Sequence, residues 1–518
     1  MLPSLALAAT LFISTACAAP APLKASPTLV ARRPRQTPTF RPSLHVLPLS
    51  ALNTVWNDGT PFPSSSNKSD ATLVARSMMH GGDIAARHLD SDDFLADDDS
   101  TTLRTRSFSP QHTSTLLRRE AASNDEDEVV LEKRRLQIRA ACLDSTATDS
   151  TISSLFYYGG ANTTVYLCPG TTIDITNAVF FTAENQVLTT YGNPTGDTRA
   201  TLVVQGSTQS CAIYGVQAPL DNVVLRNIQI NGNRPALGRI ADGIALIEMG
   251  GNTKGQRISS VHAYEPRGWS ALHTMEGTNL DCAGMVITGN QIGPSGNPPS
   301  ASDQFPDPNM WADGISHACG HSQVTNNVIT DATDGGIVIF GAPGSTISGN
   351  TIKAVSRQLM GGINMVDWNP FSGSFDGINV DGNTISAATE FIKVGIAVGG
   401  MVWGGDNRTE ARTHGGRVTN NVLSAGPTEA GGYFGYGIAV AGHEGVHVLG
   451  NTAASGAWGG ANTQYCFPDQ YPLPAPTAWV IDPYTTPGTT GHQDNLFAGL
   501  PIVFAICAGP GPIRYRGP

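Results

Sequence analysis

A short pattern of apolar and polar positions recurs along the C-terminal two-thirds of the chain. The repeat is V/I-x-x-N-x-I/L/V, with the alternation over a few residues that is typical of short β-strands. Its asparagines stand at 227, 290, 327, 350, 383, 421 and 451, and Val261 takes the same place in one further copy. Neighbouring copies lie between 23 residues (327 to 350) and 38 residues (383 to 421) apart. Self-similarity at such intervals indicates a solenoid.

A second apolar run follows the repeat and opens with Gly-Ile or a similar pair, as in DGIALI, DGISHA, GGIVIF, GGINMV, VGIAVG and YGIAVA. No window keeps a 3.6-residue period for three turns, which argues against helices. We therefore predict an all-β fold, a right-handed parallel β-helix (solenoid) of about eight or more coils. Each coil holds three short strands, about 4.8 Å from their copies in the next coil. The asparagine column is interpreted as structural, because asparagine accepts left-handed turn geometry and stacked amides can hydrogen-bond between coils.

Composition divides the chain into four segments. A short apolar run followed by small residues at the N-terminus predicts a signal peptide. The next stretch is rich in Pro, Ser, Thr and charge, which predicts disorder, and it ends at the basic cluster Lys133-Arg134-Arg135. Basic pairs of this kind resemble cleavage sites of Kex2-like processing proteases. The predicted segments are a signal peptide (1–19), a disordered pro-region (20–134), the β-helix (135–460) and a Pro-rich tail that packs on or caps the solenoid (461–518).

Cysteines and sequons suit a secreted, extracellular protein. Seven of the eight cysteines remain after the predicted signal peptide, so at least one stays unpaired or pairs between chains. Two pairings are plausible clasps for the ends of the solenoid, Cys142–Cys168 and Cys466–Cys507. No Cys/His spacing resembles a zinc site. Glycosylation is predicted at Asn67, Asn162 and Asn407.

Charge restricts the class of partner. The net charge is −11, with no basic block, so nucleic acid and anionic membranes are not expected partners. No segment after the signal peptide is long and apolar enough to cross a bilayer. We expect a monomer whose partner is a polysaccharide or an oligosaccharide.

Three aspartates are the candidate catalytic residues. Asp313 and Asp334 each open a strand of the second pattern, 21 residues apart, and Asp242 precedes the same Gly-Ile pair two coils earlier in what we take to be the same register. Paired carboxyl groups on one wall could supply the acid and the base for glycosidic cleavage. Strict alternation would send Asp313 and Asp334 to opposite faces unless a bulge at Gly335-Gly336 restores a common face. The alternative is that Asp before Gly only forms turns.

These motifs resemble the pectin-lyase-like superfamily and, distantly, glycoside hydrolases of the polygalacturonase type. The resemblance in fold covers roughly residues 142 to 460. It implies that Asp334 is the general acid and that Asp313 helps to activate water. The chain departs from the family pattern, because Gly335 replaces the second Asp of a pair, no G-H-G follows, and only Phe391-Ile392-Lys393 matches the family's R-I-K.

Further residues near the aspartates are candidates for substrate binding. Cations could bind a sugar oxygen or a carboxylate, indole rings could stack on sugar faces, and His317 could bind substrate or be a hydrogen-bonding surface residue. The set comprises Arg357, Lys393, Trp311, Trp368, Trp269, His317 and Asp367.

Three functions remain open from the sequence. The first is a secreted glycoside hydrolase that needs no cofactor. The second is a polysaccharide lyase or epimerase acting on a uronate, which could use Ca²⁺. The third is a non-catalytic glycan-binding or adhesive solenoid. The few cations near Asp313 and Asp334 favour a neutral or weakly acidic glycan over a polyanion.

Overall fold

The structure is a computed structural model, and it describes residues 142–216, 220–297, 311–403, 413–426, 431–453, 458–460, 475–491, 493 and 497–498. The described residues form a solenoid of parallel strands in three long sheets, here named A, B and C. Every strand pairs with its copies in the neighbouring coils, which confirms the predicted parallel β-helix. Sheets A and B each contain ten strands, so the structure has ten coils where the repeat in the sequence shows about eight.

Strands are numbered in chain order. Sheet A comprises β1 (Thr164–Leu167), β4 (Val187–Thr190), β7 (Val224–Arg226), β10 (Arg257–Ser259), β13 (Val286–Thr288), β16 (Gln323–Thr325), β19 (Thr346–Ser348), β22 (Asn379–Asp381), β26 (Arg417–Thr419) and β30 (His447–Leu449). Sheet B comprises β2 (Thr172–Ile175), β5 (Ala200–Val204), β8 (Ile228–Asn231), β11 (His262–Tyr264), β14 (Gln291–Ile292), β17 (Val328–Thr330), β20 (Thr351–Ala354), β23 (Thr384–Ala387), β27 (Val422–Ala425) and β31 (Thr452–Ala453).

Sheet C comprises β3 (Val179–Phe180), β6 (Ile213–Gly215), β9 (Ile247–Gly250), β12 (Ser270–Met275), β15 (Asp313–His317), β18 (Gly335–Ile339), β21 (Leu359–Met365), β24 (Ile392–Val398), β28 (Phe434–Val440), β32 (Thr477–Ile481) and β33 (Phe497–Ala498). A small fourth sheet pairs β25 (Thr413–His414) with β29 (His443–Glu444). Sheet C thus continues with two strands in the segment predicted as a Pro-rich tail. Residues 1–141, which include the predicted signal peptide and pro-region, lie outside the described residues.

The three sheets differ in how they bury their outer faces. Central strands of sheets A and B alternate between one buried and one accessible residue, because only their inner face contacts the core. Every residue of β15, β18, β21, β24 and β28 in sheet C is buried, so both faces of that sheet are covered. Its inner face supplies one continuous isoleucine column to the core, namely Ile315, Ile337, Ile363, Ile396 and Ile438.

A ladder of asparagine side chains joins the coils at the turn between sheets A and B. Each ladder residue accepts the backbone N–H and the side-chain amide of the asparagine one coil earlier, as Asn350 does for Asn327 at 3.0 and 2.9 Å. The ladder includes Asn290, Asn327, Asn350, Asn383, Asn421 and Asn451. Val261 donates its N–H to Asn290 Oδ1, as the repeat predicts. The structural interpretation of this column is confirmed.

Left-handed geometry belongs to the column one residue before the ladder. This column has positive φ throughout and contains Asn227, Ser260, Gly289, Asn326, Gly349, Gly382, Asn420 and Gly450. The sequence pattern placed Asn227 in the ladder, but Asn227 belongs to this left-handed column, one residue earlier. Its φ is 51°, and its amide donates to the carbonyls of Asn193 and Pro194 instead of to another asparagine.

The exclusion of helices from the sequence was wrong for the N-terminal end of the solenoid. Helix α1 (Asp149–Gly159) begins at a capping box in which the side chains of Thr148 and Thr151 bond to each other's backbone N–H. It packs Ile152 and Phe156 against the first coil, and the ring of Phe156 lies 5.0 Å from that of Phe181. Two single-turn helices follow, α2 (Arg234–Leu237) and α3 (Gly400–Trp403). No helix in the described part of the chain is long and apolar enough to span a membrane.

Two disulfides connect neighbouring coils. Cys142–Cys168 forms at the N-terminal end as predicted, and Cys282–Cys319 forms in the middle of the solenoid, where the sequence did not indicate a pair. Cys211 is buried, and its thiol donates a hydrogen bond to the carbonyl of Ile213. The predicted Cys466–Cys507 pair lies outside the described residues. Asn162, the described sequon, is exposed in a turn.

Candidate active site on the outer face of sheet C

Polar side chains are concentrated on the outer face of sheet C, although that face is buried. The residue after each core aliphatic residue points outward, because successive side chains of a strand alternate between its faces. Read coil by coil, this outward column is Glu248, His273, Ser316, Val338 and Asn364. All five are at most 3% exposed. Because buried polar groups normally need hydrogen-bond partners, a column of them on this face is a candidate functional site.

Asp313 lies on the same outer face because the strand departs from alternation at its first residues. Its register partner is Gly335, where an added Cβ would lie 2.2 Å from Val338 Cγ2 and 2.9 Å from Asn364 Nδ2, both on the outer face. An added Cβ at Gly314 would instead lie 2.7 Å from Ile329 Cγ2 in the core. Residues 314 and 315 therefore both face inward, as in a β-bulge, and Asp313 faces outward.

The carboxyl group of Asp313 is fully buried and accepts two hydrogen bonds. Gly335 N–H donates to Oδ1 at 2.8 Å, and the hydroxyl of Ser316 reaches Oδ2 at 2.9 Å. Burial raises the pKa of Asp313 to about 7, and the two hydrogen bonds and the charge of His273 only partly oppose this shift. Asp313 is therefore a carboxyl group that changes its protonation state near neutral pH.

Asp367 provides a second perturbed carboxyl group. It is the second residue after β21, and its Oδ2 has no hydrogen-bond partner within the described residues. Burial raises the pKa of Asp367 well above its ordinary value, and the negative charge of Asp313 raises it further. Asp313 is thus close enough to Asp367 for its negative charge to raise the pKa of Asp367.

His273 and Glu248 form a buried ion pair beside Asp313. His273 Nδ1 lies 2.8 Å from Glu248 Oε2, and the indole ring of Trp269 contacts the imidazole edge to face at a centroid distance of 4.8 Å. Burial by itself would lower the pKa of His273. The charge and hydrogen bond of Glu248, together with the charges of Glu276 and Asp313, outweigh burial, so the net effect is a raised pKa. Burial also raises the pKa of Glu276. A protonated His273 favours the ionised form of Asp313.

Asp334 and Lys393 are close enough for the charge of Asp334 to influence Lys393. Asp334 directly precedes β18 and stands one residue before Gly335, the register partner of Asp313. Lys393 lies two coils beyond Asp334 and is 5% exposed. Burial lowers the pKa of Lys393 to about 7, and the charge of Asp334 opposes this shift. An amine of this kind can exist in its neutral form near neutral pH.

Asp242 does not share the register of Asp313. Ile315 of β15 pairs with Leu272 of β12, and Leu272 pairs with Ile247 of β9. The counterpart of Ile315 two coils earlier is therefore Ile247 and not Ile244. Asp242 lies in an exposed turn before β9. The register expected for it from the shared Asp-Gly-Ile letters was wrong.

The predicted binding residues divide between the site and its surroundings. Arg357 is buried at the turn that enters β21, where it pairs with Glu265 Oε1 at 2.6 Å and also donates to the carbonyl of Gly296. His317 is fully buried, so a position at the surface was wrong; Thr274 Oγ1 lies 2.8 Å from its Nδ1, and burial lowers its pKa to about 3. Trp311 is buried at 6% exposure, Trp269 is half-buried, and Trp368 is 38% exposed.

Five polar residues of this site were not among the candidates from the sequence. They are Glu248, Ser270, His273, Ser316 and Asn364. Four of them share a signal that the sequence does contain: each follows the core aliphatic residue of its strand and therefore faces outward. Asn364, in Gly-Gly-Ile-Asn-Met, is one example.

Chemically, the arrangement provides proton donors and acceptors. Among the described residues, no group of three or more His, Cys, Asp or Glu side chains is placed to hold a metal ion. The pKa of Asp313 is raised to about 7, and the pKa of Asp367 is also raised. A carboxyl pair of this kind can act as general acid and general base.

Comparisons with known proteins agree with the fold at low sequence identity. Residues 309–453 match the family described as right handed beta helix region, and no curated protein matches the sequence. The family match and the three parallel sheets confirm the predicted right-handed parallel β-helix.

Several solved structures are similar to this chain at low identity. The endo-xylogalacturonan hydrolase of Aspergillus tubingensis is 12% identical over 70% of this chain and 96% of its own, with a TM-score of 0.36. The A-module of the mannuronan C-5 epimerase AlgE6 of Azotobacter vinelandii is 13% identical over 67% and 95%, with a TM-score of 0.32. The tailspike protein of E. coli bacteriophage HK620 is 10% identical over 68% and 60%, with a TM-score of 0.40.

Proposed function

On the premise that this chain is a right-handed parallel β-helix of the pectin-lyase-like type, we propose that it is a secreted enzyme that hydrolyses glycosidic bonds of an extracellular polysaccharide. Fold alone does not identify an activity. The observation that carries the proposal is that two neighbouring carboxyl groups have raised pKa values: Asp313, on the outer face of sheet C, and Asp367, two residues after β21. Two such carboxyl groups suit proton transfer to and from a sugar.

The surroundings of the two carboxyl groups suggest their roles. Asp367 has an unpartnered oxygen within the described residues and the adjacent charge of Asp313, both of which favour its protonated form. It is the general acid that protonates the leaving oxygen of the glycosidic bond. Asp313 has two hydrogen-bond donors and the charge of His273, which favour its ionised form, so it is the base that accepts a proton from water. Asp334 and Lys393 bind the sugar beside them.

A lyase or epimerase is the second candidate, and one observation favours it. Lys393, with its pKa lowered to about 7, could act as a neutral base that removes a proton from a uronate ring. The hydrolase is preferred because the acidic groups Glu248, Glu276, Asp313 and Asp367 surround the site, and a uronate carboxylate would be repelled by them.

The test is a screen of purified protein against neutral and acidic polysaccharides. Hydrolysis releases reducing ends, whereas a lyase also produces an unsaturated sugar that absorbs ultraviolet light. We expect Asp313→Asn and Asp367→Asn each to reduce turnover by roughly 100-fold or more, as for loss of a general acid or base. Asp242→Asn is the matched control, since Asp242 is exposed and outside the site, and should retain full activity. Wild-type turnover in both site variants, with normal melting curves, would contradict the proposal.

A further inference from the structure

Asn364 is a buried amide with no partner in the described part of the structure. It is 1% exposed, and neither its Oδ1 nor its Nδ2 has a hydrogen-bond partner among the described residues. The six ladder asparagines show the contrast, since their amides bond from one coil to the next. A buried amide that makes no hydrogen bond lowers the stability of the folded state. Such a group at a polar site indicates a partner that binds there.

Two glycines give the Asn364 side chain its place beside Asp313. A Cβ at Gly361 would lie 2.0 Å from Asn364 Oδ1, and a Cβ at Gly335 would lie 2.9 Å from Asn364 Nδ2 and 3.1 Å from Asp313 Oδ1. Any larger residue at either position would displace the amide. The amide of Asn364 and the carboxyl group of Asp313 therefore both lie over Gly335 on the outer face of sheet C.

The strand that holds Asn364 leads towards solvent. Exposure increases from Asn364 at 1% through Val366 at 6% to Trp368 at 38%, with the half-buried Asp367 between the last two. The exposed indole of Trp368 therefore lies only four residues along the chain from the buried amide of Asn364.

The chemistry of an amide restricts what this ligand can be. Nδ2 needs an acceptor and Oδ1 needs a donor, and a sugar hydroxyl offers both. A carboxylate offers acceptors only, so it would leave Oδ1 without a partner, and it would also approach Asp313 and Asp367. We propose that Asn364 binds a hydroxyl group of the sugar next to the cleavage point and thereby selects a neutral sugar ring over a uronate. This inference rests on the proposed action on a glycan.

The experiment measures binding separately from cleavage. Asn364→Ala is introduced into Asp367→Asn, which is expected not to cleave, and affinity is measured by calorimetry. Xylohexaose, cellohexaose and laminarihexaose are the neutral probes, and hexagalacturonate is the charged probe. The matched control is Asn379→Ala on the outer face of sheet A. We expect at least one neutral probe to bind, and Asn364→Ala to weaken its binding by about tenfold or more.

The melting temperature distinguishes a binding role from a structural one. An amide with no partner in the free protein contributes nothing to stability, so Asn364→Ala should melt at or above the temperature of its parent, and Asn379→Ala should change neither quantity. Unchanged affinity for the neutral probes, or a lowered melting temperature with unchanged affinity, overturns the inference even if hydrolysis is found. Preference for hexagalacturonate overturns the selection for neutral rings. Binding of no probe overturns the inference together with the proposed function.

Discussion

At the scale of single residues, the buried carboxyl group of Asp313 makes the stability of the fold depend on pH. Its pKa is raised from 3.8 to about 7, so the native state holds its proton more tightly than the unfolded chain does. Between about pH 4 and pH 7 the unfolded chain loses this proton while the native state keeps it. The contribution of Asp313 to stability is therefore complete below pH 4, falls as the pH rises and is lost above pH 7.

Asp313→Asn should remove this dependence. The amide keeps the size of the protonated acid and can still accept from Gly335 and bond to Ser316. We expect the variant and the wild type to be equally stable near pH 4, and the variant to be more stable by up to about 4 kcal/mol above pH 7. Denaturant unfolding at pH 4, 6 and 8 measures the difference. An equal difference at all three values would contradict the assigned pKa.

The Glu248–His273 pair should control the acidic limb of the activity profile. The groups that face His273 are Glu248, Glu276 and Asp313, and Glu248 is the one in hydrogen-bond contact. Glu248→Gln removes the charge that does most to raise the pKa of His273. Asp313 then loses a nearby cation, and its pKa rises.

We therefore expect the acidic limb of kcat/KM to move to higher pH in Glu248→Gln, by about one unit. The measurement is kcat/KM from pH 4 to pH 9 on the substrate found by screening. Glu444→Gln, an exposed site on the small fourth sheet, is the control and should leave the profile unchanged. A lower activity with an unshifted limb would mean that Glu248 only supports the fold.

At the scale of strands and turns, the asparagine ladder should contribute far more to stability than the left-handed column beside it. Asn350 Oδ1 accepts both the N–H and the side-chain amide of Asn327, so Asn350→Ala leaves two buried donors without a partner. We expect a loss of roughly 2–4 kcal/mol in the free energy of unfolding. Asn326→Gly is the control, because glycine already occupies this left-handed position in other coils, and should change stability by less than about 1 kcal/mol. Equal losses in the two variants would contradict the division of roles.

The sequence predicted the elements that repeat from coil to coil and missed those that occur once. The strands of sheets A and B repeat an apolar pattern from coil to coil, because identical neighbours must fill the same core. Helix α1 occurs once, with its buried Ile152 and Phe156 one turn apart, so a requirement for three periodic turns could not detect it. The register of Asp242 failed for a related reason: Asp-Gly-Ile occurs both at a strand start and in a turn, and only the pairing of Ile247 separates the two.

The site was less predictable than the fold. Asp313 and Lys393 could be selected because their positions follow from the repeat. The influence of Asp313 on Asp367 depends on how the chain turns after β21, which no repeat encodes. Burial of the outer face of sheet C is also invisible in the strand pattern, and it is this burial that moves the pKa values of Asp313, Asp367 and Lys393.

At the scale of the whole molecule, the first described residues indicate where processing can occur. Cys142 is bonded to Cys168, and Leu143 pairs with Leu167 of β1. Cleavage after Lys133-Arg134 would leave these contacts intact. We predict a mature N-terminus between Arg134 and Cys142, to be read by N-terminal sequencing of protein collected from the culture medium. Secreted protein that begins near residue 20 would contradict it.

Helix α1 has a consequence for how molecules meet one another. The first coil of any β-helix offers a row of backbone groups to which a second molecule could add its own strands, end to end, until a fibre forms. Here the side chains of Asp149 and Ser153 accept hydrogen bonds from the backbone N–H groups of Thr176 and Phe180, so the helix occupies part of that row. The helix whose Ile152 and Phe156 complete the core thus also covers, through Asp149 and Ser153, part of the end at which polymerisation could begin.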